Sequence, residues 1–460
     1  MLTARASGSG IYVVVLAAAC LLSGCVSSVS RPDLARLYAG AGGATSQPPV
    51  VVVHGVLGAR LRERDSGREV WPGGFTRLAF SEYRDLALAI DPETLEPDDD
   101  KLETNGIFDR FGGREFYGAI LDTLEGAGGY QRTEPGMPVG DAKRRYYVFV
   151  YDWRRDNVET ARKLDAFLAR IRADHGRPDL KVDLIAHSNG GLVARYYARY
   201  GTTDVLDGNE FEVTQAGAHK VRRLILLGTP NFGSMAALRG LIEGAKAGLR
   251  PIPTEVLATM PSMYQLLPHA LNDWLIDSDG TPLSRDLFDV ALWRRFQWSV
   301  FDPAVRARVL AAHDADYLAL LERHFEKRLE RARRFTWALT VAEPAGGVRP
   351  IVFGGDCELT PARVLVEEVG GDSVLRLWPN EIASPRAGVD YDRLMLEPGD
   401  GTVTKASLLA RESLDPTVPR HAYSHFPLDY SFFLCESHDL LTANVSFQDN
   451  LLHALLSVDR

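Results

Sequence analysis

The sequence predicts an α/β fold with a mostly parallel central sheet, and three observations carry that expectation. Short apolar runs recur along the chain at 50–53, 147–151, 182–185, 224–227, 351–353 and 430–434, as buried strands require. Helical patterns alternate with them: Leu164, Phe167, Leu168 and Ile171 repeat at helical spacing behind an Asp156-Asn157 start signal, over 156–172. Further helices are expected at 193–200 and 440–456. Such crossovers are what parallel strands need. Finally, each apolar run is released into a loop carrying functional residue types, the habit of an α/β sheet.

Composition fits a globular chain with a large core. Of 460 residues, 45% are hydrophobic and 25% charged, neither a disordered nor a fibrous balance. Lys and Arg number 52 against 61 Asp and Glu, a net charge of −9. That sign argues against a nucleic-acid partner. Two stretches break the strand and helix rhythm, about 59–145 and 233–350, and read as cap or lid insertions. Within the second, residues 314–334 form an amphipathic basic pattern, with Tyr317, Leu318, Leu321, Phe325 and Leu329 on one side. It fits a cap helix with a solvated face, or a surface for anionic lipid heads. The Asp98-Asp99-Asp100 run lacks the Gly and Glu of a calcium loop.

The N-terminus reads as an export signal. Arg5 precedes an apolar run over 11–22, too short for the roughly 30 Å of a bilayer core. Leu22-Ser23-Gly24-Cys25 resembles a bacterial lipobox, which implies that Cys25 is lipidated and holds the mature chain at a membrane surface. Residues 1–25 are then the signal and lipobox, and 26–47 a tether. The folded α/β domain then spans 48–460. Val26 after the cysteine fits outer-membrane sorting in a Gram-negative host, facing the periplasm or the exterior. Cys357 and Cys435 are expected to pair in such a compartment; two buried thiols are the alternative.

The chemistry centres on Ala186-His187-Ser188-Asn189-Gly190-Gly191, between an apolar run and a helical pattern. A serine on a strained strand-to-helix turn needs near-absent side chains two positions either side, and Ala186 and Gly190 meet that need. The context makes Ser188 the nucleophile of an α/β-hydrolase fold. His187 beside it is expected to point away and pack. A serine hydroxyl needs a base, and the base an orienting acid, in the chain order Ser, Asp or Glu, His. Asp400, in a Gly-flanked turn, is the expected acid. His438 follows the last strand pattern and is the expected base; His425 is the alternative, and His453 falls inside a helix. The oxyanion hole is assigned to the amides of Asn189, just after the nucleophile, and Val56, in the turn following the 50–53 run. His54 is expected to buttress that turn, and Asp152 with Arg154 to form a structural pair.

These blocks, with Tyr151-Asp152-Trp153-Arg154, Leu227-Gly228-Thr229-Pro230-Asn231-Phe232-Gly233-Ser234, Pro261-Ser262-Met263-Tyr264-Gln265-Leu266-Leu267-Pro268 and Gly399-Asp400-Gly401-Thr402-Val403, resemble the lecithin:cholesterol acyltransferase family, which includes lysosomal phospholipases A2 and phospholipid:diacylglycerol acyltransferases. The resemblance implies a Ser188, Asp400, His438 triad with the Val56 and Asn189 amides on the oxyanion. It also implies that Trp71 touches the lipid substrate. Val56 stands where lysosomal members carry an acidic residue, so acid-pH preference does not transfer; neither does an apolipoprotein activator or a sterol acceptor.

The expected function is acyl transfer from a phospholipid or acylglycerol through an acyl-serine, to water or to an alcohol, without metal or organic cofactor. Two other classes stay open: a lipid-binding envelope lipoprotein without catalysis, and an esterase for soluble esters.

Overall fold

A computed structural model describes residues 32–42, 47–98, 101–140, 143–415 and 417–457. The expected export signal and lipidated Cys25 lie outside these residues, as do most of the tether and Asp99 and Asp100. Seven strands form one sheet: β1 (Val50–Val53), β2 (Gln131–Arg132), β3 (Arg145–Phe149), β4 (Val182–His187), β5 (Val221–Leu227), β6 (Ile351–Gly355) and β7 (Tyr430–Leu434). Their order is β7-β6-β5-β4-β1-β3-β2, and every adjacent pair is parallel. The central strand Val50–Val53 is buried throughout, which explains its unbroken valine run: a strand covered on both faces has no polar side.

Five helices frame this sheet and its cap: α1 (Gly118–Glu125), α2 (Asn157–Asp174), α3 (Asn189–Tyr200), α4 (Ala315–Ala338) and α5 (Val445–Leu456). Asp156 caps α2, accepting from the Val158 amide, and buries Val158, Ala161, Leu164, Leu168 and Ile171 beneath it.

Several boundaries differ from the sequence expectation for identifiable reasons. The 147–151 strand ends at Phe149, because the Tyr151 amide donates to His54 Nε2 at 3.2 Å instead of continuing the ladder. The 193–200 helix begins four residues earlier, at Asn189. Gly190 and Gly191, poor helix formers, sit there because a Cβ on either would collide, with the His54 carbonyl and with Thr229 respectively. The 440–456 helix is divided: a 3-10 turn covers His438–Ala443, and the Asn444 side chain caps α5 by accepting from Ser446 and Phe447.

The 59–145 stretch is only partly cap. It forms an antiparallel sheet from Ala59–Glu63, Glu69–Trp71 and Leu102–Ile107, but then supplies α1 and the edge strand β2 to the main sheet. The 233–350 stretch contains α4, whose Leu318, Leu321, Phe325, Leu329 and Phe335 are buried. Several of its basic residues pair with carboxylates of this chain: Arg328 with Glu96 at 2.8 Å, Arg331 with Asp156 and Asp204 at 2.8 Å each, Arg334 with Glu330 at 2.8 Å. An excursion unmarked in the sequence reading lies between β6 and Asp400. There Val364–Val369 pairs with Asp372–Arg376 and with Leu275–Ile276, and Glu358–Pro361 pairs with Leu396–Gly399. Among the described residues no helix is long and apolar enough to cross a membrane.

A disulfide joins Cys357, just past β6, to Cys435, just past β7, with Cα atoms 4.9 Å apart and 78 residues of separation. Closing so long a loop restricts the unfolded chain. Replacing both cysteines by serine is expected to lower unfolding stability by about 2–4 kcal/mol. Urea denaturation under oxidising conditions reads this out, and an unchanged midpoint and slope would refute it.

Candidate active site

Ser188 stands between β4 and α3 at φ 53° and ψ −127°, a backbone conformation that a non-glycine residue holds only when its surroundings enforce it. The enforcement is visible on three sides. The Ser188 amide donates to the Leu227 carbonyl at the end of β5, 2.8 Å away. Gly190 lets α3 pass under the His54 carbonyl. Gly55 approaches so closely that a Cβ there would lie 2.6 Å from Ser188 Cβ.

The acid and the base meet. Asp400 Oδ2 lies 2.8 Å from His438 Nδ1, and both residues are buried. Asp400 Oδ1 is held by the Thr402 and Val403 amides at 3.0 and 2.7 Å. The His438 amide also donates to the Asp400 carbonyl at 2.9 Å. Burial pushes the His438 imidazole down, but the Asp400 carboxylate pulls it up by charge and hydrogen bond, with Asp439 adding to the same sense, and the net shift is upward. With Nδ1 turned to Asp400, Nε2 is the nitrogen left to exchange a proton. His438 and Ser188 line one cavity of about 420 Å³. His425 is placed elsewhere, its amide bound to the Thr340 carbonyl, and His453 is exposed on α5.

The same cavity receives Val56 and Trp71, with Leu57, Leu78, Phe108, Phe111 and Phe116 as apolar wall. Trp71 does two things: its ring is part of the wall, and its Nε1 donates to the Leu57 carbonyl at 2.9 Å, holding the turn that carries Val56. His54 props that turn from behind. It stacks on Tyr151 with ring centroids 4.2 Å apart and nearly coplanar, while the Tyr151 hydroxyl donates to the His54 carbonyl at 2.8 Å. Burial pushes His54 down to about 4, outweighing its backbone contacts, so the ring is a neutral strut.

Asn189 is the first residue of α3, so its amide has no acceptor within the helix. Its side chain is locked by a reciprocal amide pair with Asn157, at 3.0 and 2.9 Å. The Asn157 amide donates to Gln265 Oε1 (2.8 Å), Gln265 Nε2 to Asp156 (2.9 Å), and Asp156 takes Arg331 from α4. A chain of buried polar groups therefore ties the start of α3 to the cap. Sequence reading missed Asn157 and Gln265 as partners; Gln265 lies in the 261–268 block, but nothing in that block says what it bonds. Arg154 is fully buried, binding Asp152 with two nitrogens and the Leu86 carbonyl with a third.

His187 departs from the expectation that it points away. It lines the cavity with Ser188, and its ring centroid lies 4.7 Å from that of His438. The twist that turns Ser188 into the cavity brings its neighbour to the wall.

This sheet, with a serine elbow after a central strand and an Asp and His pair on later loops, is the α/β-hydrolase fold. A model of the family described as lecithin:cholesterol acyltransferase matches residues 140–299. That segment holds Tyr151 to Arg154, the Ser188 elbow and the 261–268 block, and stops before Asp400 and His438. Among solved structures, the Tle4–Tli4 complex contains a chain 14% identical, with a TM-score of 0.52, covering 90% of this chain and 98% of that one. The mature lipase BlEst2 of Bacillus licheniformis is 14% identical, with a TM-score of 0.33 and coverage of 91% and 97%. Phospholipase PlaB from Legionella pneumophila is also 14% identical, with a TM-score of 0.36 and coverage of 89% and 59%. Comparison with curated protein sequences returns no match.

Proposed function

We propose that the protein is a serine-dependent lipid acyl hydrolase or O-acyltransferase acting on phospholipids or acylglycerols at a membrane surface. The observation that carries this is a buried Asp400 and His438 pair, 2.8 Å apart, sharing an apolar-walled cavity with a serine on a strained elbow. His438 Nε2 takes the Ser188 proton as the oxygen attacks the ester carbonyl. The Val56 and Asn189 amides face the developing oxyanion. His438 returns the proton to the departing alcohol, leaving an acyl-Ser188 ester. Water or a second alcohol then gives its proton to His438 and attacks the acyl carbon, and His438 passes that proton to Ser188 Oγ as the acyl–serine bond breaks, releasing free acid or a new ester.

The lipid substrate is supported by the cavity wall and by what surrounds it. Phe75, Phe80 and Leu249 are 71%, 70% and 82% exposed, on segments adjoining Leu78 and Gly248 of the lining. Exposed large apolar side chains grouped near a site mark a surface that meets lipid or protein. Lipidation at Cys25, and with it an outer-membrane location, belongs to the same reading and rests on the sequence of residues 5–26.

Product analysis with an acyl-labelled phospholipid, in vesicles with and without added long-chain alcohol, tests the proposal. Labelled free acid is expected, joined by labelled ester if transfer operates. Turnover of short-chain soluble esters with none of vesicle phospholipid would overturn it in favour of a soluble-ester esterase.

A further inference from the structure

One side chain, Tyr117 at the entry to α1, touches two catalytic segments at once. Its hydroxyl accepts from the Gly55 amide at 2.8 Å, at the root of the turn carrying Val56, and lies 2.7 Å from His187 Nδ1, the residue before the nucleophile. A hydroxyl has one hydrogen, and with Gly55 as its donor Tyr117 is free to give that hydrogen to His187 Nδ1. His187 is then the neutral tautomer with its hydrogen on Nε2. Burial, and beyond it the charge of His438, hold that imidazole well below its usual range. Protonation at Nδ1 would force Tyr117 to accept twice and leave its own hydrogen unpaired.

The preceding residue reaches the third segment. The Thr442 hydroxyl, in the 3-10 turn that begins at His438, donates to the Phe116 carbonyl at 2.7 Å. Residues 116 and 117 thus bridge the oxyanion turn, the nucleophile strand and the base turn. His187 completes the bridge through its ring contact with His438 at 4.7 Å.

We infer that Tyr117 and His187 are positioning residues for acyl transfer: a Gly55 N–H to Tyr117 O–H to His187 Nδ1 chain that fixes the oxyanion amide and the His438 ring relative to Ser188. The inference rests on the function proposed above. Neither residue exchanges a proton with substrate. Their effect falls on the rate of the chemical step, because displacement by a fraction of an ångström misaligns the attack, and Tyr117→Phe keeps the ring that Tyr117 adds to the cavity wall.

The test compares Tyr117→Phe, His187→Asn and His187→Ala with wild type, by steady-state kinetics on a vesicle phospholipid and by thermal unfolding. Tyr117→Phe is expected to lower kcat roughly 10- to 100-fold with KM within about twofold. Asparagine places Oδ1 near the lost Nδ1 and can accept from Tyr117, so His187→Asn is expected to keep several-fold more kcat than His187→Ala. A Tyr117→Phe enzyme with wild-type kcat overturns the inference, as does a His187→Asn enzyme no better than His187→Ala. If Tyr117→Phe does not fold, the His187 pair alone decides. A wild-type protein that turns over no lipid ester defeats the underlying function instead, so the two failures are distinguishable.

Discussion

Replacing Ser188 by alanine is expected to lower kcat by roughly 10⁴- to 10⁶-fold, the scale on which loss of a triad nucleophile acts. In barrier terms this is about 5–8 kcal/mol. The substitution is a clean one. Alanine keeps the Cβ that Gly55 accommodates, and it adds no new conflict at φ 53° because serine already carries that strain. The variant is therefore expected to fold with nearly unchanged stability and to lose covalent labelling by a fluorophosphonate that marks the wild type. Phospholipid turnover within tenfold of wild type, or labelling that survives the substitution, would show that another residue performs the attack.

Changing Asp400 to asparagine should reduce kcat by about 10⁴-fold. The amide retains the size of the carboxylate, so the turn through Thr402 and Val403 keeps its acceptor. What changes is the partner of His438 Nδ1. An asparagine that turns its nitrogen there donates a hydrogen, driving the imidazole proton to Nε2, where it blocks acceptance from Ser188. A second consequence follows from charge. Asp400 is what raises His438 against the opposing effect of burial. Removing the negative charge lets the imidazole fall, so the acid limb of the kcat/KM profile should move to lower pH. An acid limb that stays in place, or moves upward, would assign the limb to another group.

Much of the scaffold was legible because single strands carry their own signature. Val50–Val53 and Tyr430–Leu434 were readable to the residue, since a run of β-branched or aromatic side chains between turn formers has few other uses. Ser188 was legible for a related reason: the elbow demands small neighbours in a fixed pattern, and Ala186 and Gly190 supply them locally. Asp400 and His438 were named from chain order, and the structure places their side chains in contact. What stayed hidden depends on distant partners. Nothing around position 117 announces that its hydroxyl meets Gly55 and His187, and the strand at 131–132 is too short to have a pattern of its own. The strands at 358–376 do not alternate, because burial runs along them in blocks: Val364 to Glu367 are covered, and Glu368 and Val369 are exposed. The helix after the elbow was expected from 193 and begins at Asn189, since Gly190 and Gly191 are poor helix formers that close packing against His54 and Thr229 demands.

The link between Cys357 and Cys435 brackets the chain that contains Asp400. The stretch around Ser384, Pro385, Arg386 and Ala387 is exposed and lies inside that bracket. A protease that severs the backbone there would produce two polypeptides still joined through sulfur, with the carboxylate and the imidazole on the same fragment. Such a cut would leave Asp400 and His438 covalently leashed to the sheet that holds Ser188.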